Sequence, residues 1–96
     1  MIKIVAKHYV KQDKVDNFIT LAKELVAKTQ KGDAGCIHYD LFQDLKNPQI
    51  LTIIEEWENQ DALDKHTAAK HFKEIAPQLG DFTEKPGEIN LYQIVE

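Results

Sequence analysis

Arginine is absent from this chain: all twelve of its basic residues are lysines. Without a planar guanidinium fork, two-point clamping of a phosphate or carboxylate is lost, so a phosphorylated substrate is disfavoured. Serine is absent as well, which excludes a serine nucleophile. Cys36 is the single cysteine, so no intrachain disulfide can form. It reads as a small apolar strand residue, and such sparse cysteine suits a reducing cytoplasm. The four glycines are scattered through turns, with no phosphate-cradling loop and no dinucleotide fingerprint. No apolar run reaches bilayer length, and Met1–Val5 shows no signal-peptide core, so a cytoplasmic protein without membrane contact is expected. A net charge of -4 disfavours a nucleic-acid partner.

What is present suits one globular domain, residues 1–96, with 43% hydrophobic residues. Residues 2–10 alternate, with Ile2, Ile4, Ala6, His8 and Val10 on one side, and predict a strand. Asp13 is placed to cap a helix whose stripe is Val15, Phe18, Ile19, Ala22, Leu25 and Val26. Lys31-Gly32-Asp33-Ala34-Gly35 carries stop chemistry. Residues 36–43 read as a second strand, with Ile37, Tyr39 and Leu41 on one side, and residues 50–57 as a third. A helical region follows from about Gln60 to Leu79, with Thr67 as a candidate interruption and Pro77 weakening its end. Gly80 to Gly87 reads as a loop and residues 88–95 as a last strand.

Strand, helix, strand, strand, helix, strand is the split β-α-β order of ferredoxin-like α+β folds: a four-stranded antiparallel sheet with helices on one face. Two helical regions cannot cover both sheet faces. Val5, Tyr9, Ile54 and Ile94 nonetheless add apolar side chains to the second face. Such a face predicts a homodimer formed through the sheet.

Chemistry concentrates in Glu55-Glu56-Trp57-Glu58-Asn59-Gln60-Asp61-Ala62-Leu63-Asp64-Lys65-His66. A strand runs into carboxylates and the only tryptophan, Asn59 caps the next helix, and His66 points back from it. Period two sets Glu55 and Trp57 on one side of the strand. With Tyr39 and His8 from neighbouring strands, they would wall a cavity between sheet and helices, suited to a small aromatic ligand. Each has a plainer reading. Trp57 is wall or core, Glu55 a solvated strand end or a helix partner, and His66 a helix histidine with one hydrogen bond. His38 falls on the opposite, dimer-facing side. His71 follows His66 by five positions, about 140° around a regular helix, so the two do not form a zinc pair and no metal site is expected.

Three stretches carry a resemblance: Gly35-Cys36-Ile37-His38-Tyr39-Asp40-Leu41, Glu55-Glu56-Trp57 with Asp61-Ala62-Leu63, and His66 with His71-Phe72. On these the chain resembles the antibiotic biosynthesis monooxygenase family of dimeric α+β-barrel proteins, and most closely its quinol-monooxygenase branch. The resemblance implies oxygenation of an electron-rich phenol without metal, flavin or other cofactor. It implies His66 as the base and Tyr39 and His8 on the substrate oxygens. Glu55 would position His66, and Trp57 and Phe72 would pack the ring. The arginine used by some antibiotic-pathway members is missing, so their mechanism does not carry over. The haem-ligand position of the haem-degrading branch falls on Ala76. The expected activity is therefore a cofactor-independent monooxygenase acting on a quinol or small phenol. The alternatives are an isomerase of a small hydroxyketone and a non-catalytic small-molecule-binding or stress protein.

Overall fold

Alternation at the amino terminus becomes strand β1 (Ile2–Val10), with Ile4, Ala6 and Val10 buried. In this computed structural model, which describes residues 1–96, a 3-10 turn (Gln12–Lys14) then leads into helix α1 (Val15–Gly32). Asp13, the expected cap, lies inside that turn, and the N-cap of α1 is Lys14, which makes no side-chain cap bond. The turn bonds Lys14 N–H to the Lys11 carbonyl at 2.9 Å, so backbone takes over part of the capping task. The buried stripe of α1 is Phe18, Ala22, Leu25 and Thr29, at spacings of four, three and four.

Strands β2 (Cys36–Gln43) and β3 (Ile50–Trp57) fall where alternation places them. β2 carries a register shift between Cys36 and His38 against β3. The extra residue turns Ile37 out to 38% exposure while Cys36 and Tyr39 stay inward, so Ile37 does not share a side with Tyr39 as simple alternation predicts.

The region after β3 is two helices, α2 (Gln60–Ala68) and α3 (Lys70–Asp81). The break falls at Ala69, which is extended (φ -69°, ψ 146°), two residues beyond the expected Thr67. Thr67 Oγ1 donates back to the Asp64 carbonyl at 3.1 Å, a contact that loosens the last turn of α2. Pro77 sits within α3 without ending it; Ile75 and Leu79 on either side are buried and hold the helix down.

The last strand, β4 (Thr83–Tyr92), starts five residues before the predicted position and stops before Ile94. Thr83 to Gly87 are therefore strand, and Gly80 and Asp81 close α3. The sheet order β2-β3-β1-β4 leaves β4 at an edge, where Pro86 is tolerated. Gly87 meets a register shift of β1, and a Cβ there would stand 2.3 Å from the Lys7 carbonyl oxygen. Every pairing is antiparallel, giving the expected four-stranded ferredoxin-like sheet.

The core lies between α1, α2, α3 and the inner faces of β1, β2 and β3. Ile89 and Leu91 pair with the buried Ala6 and Ile4 yet are 67% and 54% exposed, because the helical layer stops short of β4. On the outer face, Val5, Tyr9 and Ile54 are half-buried among Lys3, Lys7 and Thr52.

Candidate functional site

β3 ends by pointing Glu55 and Trp57 inward, both buried, because period two carries them to the side of Leu51 and Ile53. Trp57 Nε1–H donates to Glu55 Oε1 at 2.8 Å, which satisfies the indole inside the core. Tyr39 stands opposite Glu55 in the β2–β3 register and is buried. Asn59 caps α2 as expected, its Oδ1 accepting the Ala62 N–H at 2.9 Å. The cap fixes where α2 starts and so delivers His66 over the indole.

His66 is the hub. Its ring centroid lies 4.6 Å from Trp57, 5.2 Å from Tyr39 and 4.8 Å from Phe72. Tyr39 meets Trp57 edge-on at 6.2 Å. Of the six residues expected to form the site, five thus converge: Tyr39, Glu55, Trp57, His66 and Phe72. His8 does not join them. It pairs with Leu51, six register positions along β1 from the residue facing Trp57, roughly 20 Å away. There it packs on Phe18 with its Nδ1 3.2 Å from the Leu51 carbonyl oxygen.

The converging rings fill the space expected to be a cavity: Trp57, Tyr39 and His66 are at most 1% exposed. The hollow that reaches the cluster is shallow, about 230 Å³. It opens between the α1–β2 turn and α2, lined by Asp33, Ala34, Ala62, Lys65 and His66 among others.

Sequence reasoning did not single out Asp33. It is the residue that ends α1, and its Oδ2 accepts from His66 Nδ1 at 2.6 Å and from His71 Nε2 at 2.9 Å. The extended Ala69 explains how residues five apart in sequence meet: α3 leaves on a new axis, and His71 swings round to the same oxygen. The 140° argument holds only for one unbroken helix. A signal did exist, since an acid at a helix C-terminus opposes the macrodipole and asks for a compensating partner.

A carboxylate only accepts, so this pairing places the His66 proton on Nδ1 and leaves Nε2 with its lone pair. That Nε2 is buried and has no hydrogen-bond partner. Burial lowers the His66 pKa, and Asp33 offsets only part of that fall, so the ring is neutral near pH 7. Desolvation raises Glu55 to about 7, with the Trp57 bond opposing, and pushes the Tyr39 hydroxyl far up. Cys36 is likewise pushed up to about 11, chiefly by burial, and is a thiol rather than a thiolate. His8 is lowered by burial, with a backbone bond to Leu51 opposing.

The chain matches a known family in sequence and in fold. Residues 1–78 match the family model described as antibiotic biosynthesis monooxygenase, and the chain belongs to that family. Among solved structures, a protein named as an antibiotic biosynthesis monooxygenase superposes with a TM-score of 0.94 at 35% identity, over 100% of both chains. A conserved protein from Methanosarcina mazei Go1 is 47% identical, with a TM-score of 0.92 over 96% of this chain and 90% of that one. An uncharacterised Synechocystis protein is 33% identical over 87 residues, 91% of this chain. The chain spans 58% of that relative's length. No helix is long and apolar enough to cross a membrane.

Proposed function

We propose that this protein is a monooxygenase that oxidises a quinol or related small phenol with molecular oxygen, using neither metal nor flavin as a reactant. The observation that carries it is the buried, unpartnered Nε2 of His66, held in one tautomer by Asp33 and ringed by Trp57, Tyr39 and Phe72. Membership of the family supports it.

The chemistry asks little of the protein. A quinol that loses its hydroxyl proton becomes electron-rich enough to pass an electron to oxygen directly. One quinol and one O₂ give one hydroxyquinone and one water, which balances atoms and electrons. His66 Nε2 accepts the hydroxyl proton, the Asp33 carboxylate stabilises the resulting imidazolium, and the aromatic side chains grip the ring and exclude water. Phe72 lies just past the Ala69 break, so displacement of α3 is the movement that admits a ring. The half-buried Val5, Tyr9 and Ile54 on the outer sheet face support assembly as a homodimer through the sheet, in which a second copy would cover them.

Oxygen uptake with a reduced naphthoquinone tests the proposal. Uptake above autoxidation is expected, falling by about 10²–10⁴ in His66→Gln and less steeply in Asp33→Asn. Uptake identical to the protein-free rate sinks it. One observation favours a second reading, a binder without turnover: the aromatic cluster is already filled. Ligand-dependent thermal shifts with no oxygen consumption would mark that case.

A further inference from the structure

Asp33, His66 and His71 lie outside the sheet and come from three helical segments. Each offers one ligand atom, and the three atoms sit within 4.8 Å of one another. Two imidazole nitrogens and a carboxylate oxygen, with coordination positions left over, suit a first-row transition cation. Two donors on a tetrahedral ion at about 2.1 Å stand roughly 3.4 Å apart. Here His66 Nδ1 and His71 Nε2 are 2.6 and 2.9 Å from the Asp33 oxygen. Admitting an ion requires the two pairs to Asp33 to open by less than about 1 Å, while the two histidine nitrogens already lie within 4.8 Å of each other.

The approach is built too. The His71 and Asp33 side chains keep 19% and 10% exposure, so the ligand set reaches solvent while His66 closes its back. Lys65, which lines the same hollow, is paired with Asp61 at 3.0 Å. Asp33 supplies a carboxylate oxygen beside two imidazole nitrogens. The arrangement is nitrogen-rich, which disfavours magnesium and calcium, both of which ask for oxygen donors.

We propose that Asp33, His66 and His71 form a binding site for a divalent transition-metal ion of the zinc class. Binding needs no oxygenase reaction and goes beyond that reading. It does act on it: a cation on Nδ1 moves the His66 proton to Nε2, which removes the lone pair a quinol hydroxyl would meet. On that reading the cation restrains the enzyme, and Zn²⁺ should inhibit any oxygen uptake.

The test uses the chelator-treated full chain, titrated with ZnCl₂ by calorimetry and thermal melting, with Co²⁺ as a visible-absorption probe. One saturable ion per chain is expected, with a melting temperature that climbs with free Zn²⁺ and no response to Mg²⁺. His71→Gln, at the more exposed of the two histidines, should weaken binding by at least about tenfold, and Asp33→Asn likewise. His38→Gln, on the exposed strand face, should bind as the parent does. Zn²⁺ should also move the His66 and His71 imidazole resonances and leave those of His8 in place. No Zn²⁺ binding, undiminished binding in folded His71→Gln, or binding lost with His38 overturns the site. Because these readouts are independent of turnover, the metal site and the oxygenase reading fail separately.

Discussion

Replacing Glu55 by glutamine should flatten part of the pH dependence of stability. Glu55 is 6% exposed, and its pKa is raised from 4.5 to about 7, first by desolvation. Between those values the folded chain holds a proton that the unfolded chain has released. Glu55 therefore contributes stability that is complete below pH 4.5 and is lost as pH rises to about 7. At 1.36 kcal/mol per pKa step, with most of the window crossed, Glu55 accounts for between about 2 and 3 kcal/mol lost from pH 5 to pH 8. Glutamine keeps the shape and an acceptor for the Trp57 N–H but carries no charge. The assay is urea unfolding of both proteins at pH 5, 6, 7 and 8, followed by circular dichroism. The two curves should diverge steadily, with the variant gaining roughly 1–2 M in relative midpoint by pH 8. Parallel curves across that range would show that Glu55 is not held protonated, and the account of a desolvated strand end would be wrong.

Three further outcomes follow from the same geometry. Trp57→Phe removes the one bond that lowers the Glu55 pKa, so that pKa should rise further, read by carboxyl chemical shift, with about 1–3 kcal/mol lost from stability. Gly35→Ala should destabilise the fold by on the order of 1–3 kcal/mol, measured by thermal melting. Its φ is +82° and its new Cβ would meet Ala62 Cβ at 2.5 Å. Asn59→Ala should cost about 1 kcal/mol by removing the α2 cap, and a variant as stable as the parent would show the cap bond to be idle.

The sheet and the first helix were legible because periodicity is a local property. Residues 2–10, 36–43 and 50–57 state their strands outright, and β1, β2 and β3 take those bounds. Asn59 was legible as a cap because the cap is written within four residues. The errors fall where packing outvotes local chemistry. Lys85-Pro86-Gly87 reads as loop but completes an edge strand, since β1 supplies the ladder and the edge forgives proline. Trp57, Glu55, Tyr39, His66 and Phe72 do lie together, but alternation carries no information on depth, and the rings fill the room expected for a ligand. His8 shares the inward side of the sheet yet stands at its other end, a separation set by register rather than by side. Asp33 was hidden because its role depends on a single extended residue, Ala69, thirty-six positions later.

Trp57 is the only tryptophan, and it lies against the imidazole that every proposal above involves. The molecule therefore carries its own optical gauge. Emission from this one indole reports a single address, with no second fluorophore of its kind to subtract. Cation capture at His66, protonation of Glu55 and the arrival of an aromatic guest each alter a different neighbour of that ring. Quenching, spectral shift and lifetime, recorded on unlabelled protein, can tell those events apart in real time.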